Sequence, residues 1–212
     1  MHWQLILGFA LAVTPICLTP GASFTLVTQR VAVGRRRDGL LVAAGTATGL
    51  CVHAALAAVG LSALVMRSAT AFTVLKLVGA LYLVWLGIST YRSARRRPER
   101  TTRLPWTGHG SYLQGFLGNV LNPKAAGVYL TLVPQFLDPR DGVAAQIALL
   151  AVAHVAVAVT WLTVWTFVVA AARRTVASGW FKAVMNRVTG AVLVFLGVRT
   201  ALSGGPPAVA TR

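Results

Sequence analysis

The stretch from Gly142 to Ala172, GVAAQIALLAVAHVAVAVTWLTVWTFVVAAA, contains no Asp, Glu, Lys or Arg. About 20 apolar residues cross a hydrocarbon core ~30 Å thick, and a buried helix of a soluble domain rarely needs that length. Gly39 to Met66 repeats the pattern with no charge until Arg67. Composition agrees: 11% of the chain is charged and 56% hydrophobic, whereas soluble domains carry about a quarter charged residues. The chain reads as an integral membrane protein.

A net charge of +16 would suggest nucleic acid in a soluble protein. Here the basic residues are confined to short segments between apolar runs, which fits the positive-inside rule and excludes a nucleic-acid partner. Cys17 and Cys51 fall in separate apolar segments and read as packing residues, with no metal site or disulfide implied. The apolar N-terminus has only His2 where a signal peptide would be basic, and no small-x-small site follows; it reads as the first membrane segment.

Working outward, six segments emerge. The first runs from about Trp3 to Thr28, interrupted by Pro15 and by Thr19-Pro20-Gly21; the second covers Gly39 to Met66 and the third Ala69 to Tyr91. The fourth runs from about Tyr112 to Leu137, broken near Asn122-Pro123, and the fifth from Val143 to Ala172. The sixth is short, held between Arg187 and Arg199. Arg30, Arg35, Arg36 and Arg37 lie between segments one and two; Arg92, Arg95, Arg96, Arg97, Arg100 and Arg103 lie between three and four; Arg173, Arg174, Lys182 and Arg187 lie after five. The opposite side receives fewer, Arg67, Lys76, Arg140, Arg199 and Arg212. Linkers 1–2, 3–4 and 5–6 are therefore expected in the cytoplasm and both termini outside. An N-terminus inside stays open, for the case in which the broken first segment does not cross.

The two halves resemble each other. Pro20-Gly21-Ala22 aligns with Pro123-Lys124-Ala125, and the same offset aligns Arg37-Asp38-Gly39 with Arg140-Asp141-Gly142. Lys76-Leu77-Val78-Gly79-Ala80 parallels Arg187-Val188-Thr189-Gly190-Ala191, and Leu83-Val84-Trp85-Leu86-Gly87 parallels Leu193-Val194-Phe195-Leu196-Gly197. Three spans per half, an odd number, force the second half to enter inverted, the arrangement many secondary transporters use. The expected fold is all-α: a polytopic membrane protein with six transmembrane helices in an inverted 3+3 repeat, helices 1 and 4 broken. Residues 1–91 form the first repeat, 92–111 a basic cytoplasmic linker, 112–203 the second repeat and 204–212 a disordered tail.

Breaks at matching positions of two halves point to a transport site, because polar backbone freed in lipid must meet protein, water or substrate. Thr19, Pro20 and Gly21 at the first break, with Asn119, Asn122, Pro123, Lys124 and Gln135 at the second, are the candidate substrate-binding residues. A cation inside a span costs about 2.5–3.5 kcal/mol on insertion scales. Asp38, Glu99, Asp138 and Asp141 all fall in linkers or at helix ends, so a substrate carboxylate is one partner for Lys124; snorkelling or carbonyls at the break are the alternatives. A helix restarting after Gly21 or Lys124 would also aim backbone N–H groups at an anion. His53 and His154, near the middles of segments two and five, are the proton-coupling candidates, the alternative being neutral histidines hydrogen-bonded between helices. Gly45 and Gly49 form a small-xxx-small pair that permits close packing. Asp38 and Asp141 read as helix caps, with a gating contact to nearby arginines as the other reading.

Leu18-Thr19-Pro20-Gly21-Ala22-Ser23, Asn119-Val120-Leu121-Asn122-Pro123-Lys124-Ala125, Pro134-Gln135-Phe136-Leu137-Asp138-Pro139, Phe72 to Ala80 and Asn186 to Ala191 together resemble the signatures of the LysE/RhtB amino-acid exporters, along nearly the whole chain. The resemblance implies a six-span inner-membrane exporter of amino acids or derivatives, driven by the proton gradient. One departure stands out: the family's usual Pro-Asn after Thr-Pro-Gly is Ala22-Ser23 here, replacing an amide with a shorter hydroxyl. With no fixed acid to attract a second cationic group, neutral amino acids fit better than lysine or arginine. A channel or a transporter for a cation or another metabolite is the alternative, although a cation path normally wants midplane carboxylates. No nucleophile–base pair, metal set or phosphate loop points to an enzyme or a cofactor. The expected partners are a small-molecule substrate and the bilayer; a homodimer is left open.

Overall fold

The computed structural model describes residues 3–33, 36–93, 110–139 and 141–171, and isolated positions from 184 to 202. Most of the linker expected at 92–111, most of the sixth segment and the tail expected at 204–212 lie outside the described residues. Among the described residues the chain is helical, without strands: α1 (Trp3–Leu18), α2 (Ala22–Val33), α3 (Arg36–Arg67), α4 (Ala69–Ser93), α5 (Ser111–Val120), α6 (Pro123–Gly127) and α7 (Val143–Ala171). A π-helical turn, Val128–Leu132, and a 3-10 turn, Val133–Phe136, follow α6. At 32 and 29 residues, α3 and α7 run roughly 45 Å, long enough to cross a bilayer.

Both expected breaks are present. Pro20 has no N–H for the carbonyl of Ile16; α1 stops, and the next ladder bond is Thr25 N to Gly21 O at 2.9 Å. The two halves of this span are bent by 52°. In the second break Asn122 caps α6, its Oδ1 accepting from Lys124 N at 3.0 Å with Pro123 in the first turn, where a missing donor does no harm. The ladder then widens ahead of Pro134, which cannot donate to the preceding turn. Pro15 behaves differently from the sequence expectation, because α1 continues through it. Thr14 Oγ1 donates to Ala10 O at 2.7 Å and Thr19 Oγ1 to Pro15 O at 2.8 Å, back-bonds to the helix on either side of the Leu11 carbonyl, which Pro15 leaves without its N–H donor.

The broken first span follows α7 along its length. Phe9, Val13 and Ile16 pack in one cluster with Ile147, Leu150 and Ala158, while Phe24, Val27 and Val31 pack with Leu162, Trp165 and Val169. The Phe24 and Trp165 rings stack at 4.3 Å, and Trp165 Nε1 donates to Thr28 Oγ1 at 3.0 Å. Contacts that advance in step make α1 and α2 one bent span rather than a loop that returns.

Glycines set the tightest packing. A Cβ on Gly45 would meet the backbone of Tyr112 and Phe116, and one on Gly115 the backbone of Val42, so α3 and α5 touch main chain to main chain. They run in the same direction, since Ser111 Oγ donates to Asp38 Oδ1 at 2.8 Å near one end and His53 meets Asn119 further along. Arg36 lies over the Phe167 ring at 5.7 Å and Arg30 Nε donates to Gln114 Oε1 at 3.0 Å. The ends of α2 and α7 and the starts of α3 and α5, which flank the three arginine-rich linkers, are thus gathered at one end of the bundle. Among the isolated positions, Gly197 lies against Ala80 and Val84 of α4.

Candidate substrate cavity at the helix breaks

The breaks face each other. Between them lies a cavity of about 70 Å³, walled by Thr19 and Gly21–Phe24 at the first break, Asn119, Asn122 and Lys124 at the second, Thr46 and Leu50 of α3, and His154, Ala158, Trp161 and Leu162 of α7. At roughly 10–15 Å³ per water on this measure, the space holds about five waters, close to the heavy-atom count of a small amino acid.

The Lys124 ammonium crosses from the second break to the first. Its Nζ donates to Thr19 O at 3.4 Å, spanning 105 residues of sequence, and a Cβ added at Gly21 would lie 3.8 Å from it. The C-terminal end of α1, where carbonyls lack partners, carries negative potential; Lys124 neutralises it. On the other side of the break the first-turn amides of α2 have no carbonyl four residues back. Ser23 Oγ, on that turn, accepts from Thr46 Oγ1 at 3.0 Å. Among the described residues no Asp or Glu lines the cavity.

Of the candidates read from sequence, the structure brings Thr19, Gly21, Asn119, Asn122, Lys124 and His154 to the wall. Pro20 and Pro123 make the breaks without lining the space. Gln135 is not brought to the cavity; its amide folds back on Thr131 O at 2.8 Å. His53 stands behind the wall, with Nε2 3.2 Å from Asn119 O; a carbonyl only accepts, so this bond requires the proton on Nε2. Asp38 sits inside the first turn of α3 rather than ahead of it, and Asp141 stands two residues before α7, its N–H donating to Asp138 O at 3.2 Å. Both are at bundle ends, away from the cavity.

Several participants escaped the sequence reading. Thr46 and Trp161 line the cavity, as does Cys17. Tyr129 lies between the two histidines, its ring centroid 6.0 Å from His53 and 5.5 Å from His154. Among the described residues Ser62 Oγ, Asn119 Oδ1, Tyr129 Oη, His154 Nδ1 and Trp161 Nε1 are buried without hydrogen-bond partners, and three of them, Asn119, His154 and Trp161, belong to residues of the cavity wall. The only advance signal for Trp161 is its spacing of seven from His154, two turns along one helix face.

Long apolar helices, a broken span and a polar cavity at the break define a helical membrane protein built around an internal binding site. Comparison with known proteins is specific: the family described as LysE type translocator matches residues 15–204. The chain belongs to that family of membrane transporters. It is similar to an uncharacterized membrane protein, YrhP, of Bacillus subtilis, 31% identical over 88% of this chain and 93% of the relative. It is also similar to the homoserine/homoserine lactone efflux protein of Salmonella typhimurium (31% identical; 77% of this chain, 79% of the relative). The threonine efflux protein of Escherichia coli K12 is 28% identical over 76% of this chain and 80% of its own length. No solved structure matches the chain significantly.

Proposed function

We propose that the chain is a secondary active exporter of small neutral amino acids or their derivatives, working by proton antiport across the inner membrane. Two inverted three-span halves would alternate access to the cavity, with linkers 1–2, 3–4 and 5–6 cytoplasmic and both termini outside. The observation that carries this reading is the cavity between two broken helices, whose described lining holds the Lys124 ammonium and the amide end of α2 and no carboxylate. A ligand carboxylate would sit against Lys124, Ser23 and the first turn of α2, with Asn119 and Asn122 as neutral hydrogen-bonding groups. The efflux proteins among the relatives are named for homoserine, homoserine lactone and threonine, all small amino acids or derivatives of one. A cation pathway would want an acidic lining, and the described lining has none.

The deciding experiment is a tolerance panel. Cells overexpressing the protein, with membrane insertion verified, are expected to survive inhibitory homoserine, threonine or small neutral analogues at several times the concentration that stops the control. Tolerance of none would reject amino-acid export.

His154, in the cavity wall, is the better placed of the two histidines for proton coupling. His154→Gln is expected to lower the ratio of pH-gradient-driven transport to equilibrium exchange in proteoliposomes by about a hundredfold, the low end of what one general acid–base group contributes. An unaltered ratio would remove His154 from the coupling account.

A further inference from the structure

We infer that a ring nitrogen of His154 is the docking point for the ligand's α-ammonium, so that proton and amino acid compete for one lone pair. This rests on the proposed reading of the cavity as the substrate site and gives that site its coupling rule. A buried ammonium needs acceptors or an anion. In the described wall most acceptors are engaged or turned aside. Thr19 O accepts from Lys124 Nζ at 3.4 Å, Asn122 Oδ1 from Lys124 N at 3.0 Å, and Ser23 Oγ from Thr46 Oγ1 at 3.0 Å. Asn119 Oδ1 is directed at α3, 2.8 Å from where a Cβ on Gly49 would stand. His154 Nδ1 is buried without a partner, and His154 belongs to the wall.

The ring is well held, with Phe9 edge-on at 6.3 Å and Tyr129 at 5.5 Å, on a helix unbroken from Val143 to Ala171. With its proton on Nε2, Nδ1 offers a lone pair to a ligand N–H. In a space of about 70 Å³, a zwitterion whose carboxylate sits at Lys124 has its ammonium within reach of the α7 wall. Protonation uses up the lone pair: the bond to the ligand is lost, and the imidazolium stands beside the ligand's positive charge. The amino acid leaves with its three ammonium protons, and the proton stays until the next amino acid displaces it to water on the other side. One proton thus enters for each amino acid that leaves. The titratable groups facing His154 are Lys124 of α6, His53 of α3 and Tyr129 of the π-helical turn, with Cys17 of α1 in the same wall. α2 brings none to the wall, and α7 has no other. Ammonium, phenol and thiol ordinarily titrate above neutral pH, and His53 stands behind the wall with its Nε2–H on Asn119 O.

The test is threonine self-exchange in proteoliposomes of the purified full chain, at equal pH on both sides. Between about pH 8 and about pH 5.5 the half-saturation concentration is expected to rise about tenfold as histidine takes its proton, the rate at saturating threonine holding steady. His154→Gln, whose amide oxygen accepts but takes no proton, is expected to keep the value at the higher pH within about twofold and to lose the pH dependence. His154→Leu, without an acceptor, is expected to raise the value at the higher pH at least about tenfold. 2,3-Dihydroxybutyrate, with a hydroxyl in place of the amine, is expected to compete no better at the higher pH than at the lower. A half-saturation indifferent to pH, a leucine variant matching the glutamine one, or dihydroxybutyrate sharing threonine's pH dependence overturns the inference while leaving amino-acid export standing. If neither threonine nor homoserine exchanges above protein-free liposomes, the proposed function fails and the inference with it.

Discussion

Alanine in place of Gly45 is expected to lower the thermal midpoint of the detergent-purified protein by about 10 °C, whereas alanine at Gly60 leaves it level or raises it. A Cβ on Gly45 would press on the carbonyl of Tyr112 and lie 2.7 Å from Phe116 N. Both obstacles are main chain, so no side chain can swing away, and α3 must retreat from α5 by about an ångström. Overpacking of this kind costs about 3 kcal/mol or more, and in a chain of this size each kilocalorie moves the midpoint by about 2–4 °C. The displacement also spreads, since Gly49 faces Asn119 on the same helix pair, with a Cβ there 2.8 Å from Asn119 Oδ1. Gly60, on the same helix, has nothing within 4 Å of its Cβ position, and alanine there gains up to ~1 kcal/mol of helix propensity. Melting followed by size-exclusion fluorescence distinguishes the two; equal midpoints would mean that α3 and α5 are not in main-chain contact.

That close approach was partly legible beforehand. Gly45 and Gly49 announce it by spacing alone, but Gly115, the matching surface on α5, does not stand out in a sequence with 20 glycines. Uncharged length located α3 and α7 to within about three residues, because in a membrane chain charge marks the helix ends. Proline was a less reliable guide. Pro20 and Pro123 stand at breaks while Pro15 does not: α1 runs on through Pro15, which leaves only the Leu11 carbonyl without its donor, whereas Pro20 is followed by Gly21 and Pro123 opens a new helix capped by Asn122.

The cavity was harder to read because its contacts are distant in sequence. His53 and Asn119 are 66 residues apart, Thr46 and Ser23 sit on different helices, and no periodicity links them. Charge and helix-breaking residues pointed to Lys124 and the breaks, since each is anomalous within an apolar run. Trp161 and Tyr129 were invisible for the opposite reason: aromatic residues in a membrane helix are unremarkable until their polar atoms prove to be buried without partners. Gln135 shows the converse, a polar residue in a suggestive box whose amide donates one turn back along its own chain.

Lys124→Met is expected to reduce transport at least a hundredfold while leaving the protein folded and inserted. Methionine keeps the length and apolar volume of the lysine stem, so packing against Cys17 and Gly21 loses little, and only the ammonium goes. With it go the hydrogen bond to Thr19 O and the counter-charge for a bound carboxylate. An ion pair at ~4 Å is worth about 4 kcal/mol at an effective dielectric of 20, which solvent in the cavity would lower toward the ~3 kcal/mol that a hundredfold loss represents. Gln135→Ala is the control: its side chain lies outside the cavity, and transport is expected to change by no more than about twofold. The pair separates two accounts of the second break. If the backbone geometry at Asn122-Pro123 were sufficient and the amide end of α2 alone held the anion, Lys124→Met would transport almost normally and Lys124 would be a tether between the breaks. If the ammonium holds the ligand, the loss should appear mainly as a raised half-saturation concentration, measured by counterflow at rising substrate, and at saturating substrate part of the rate should return.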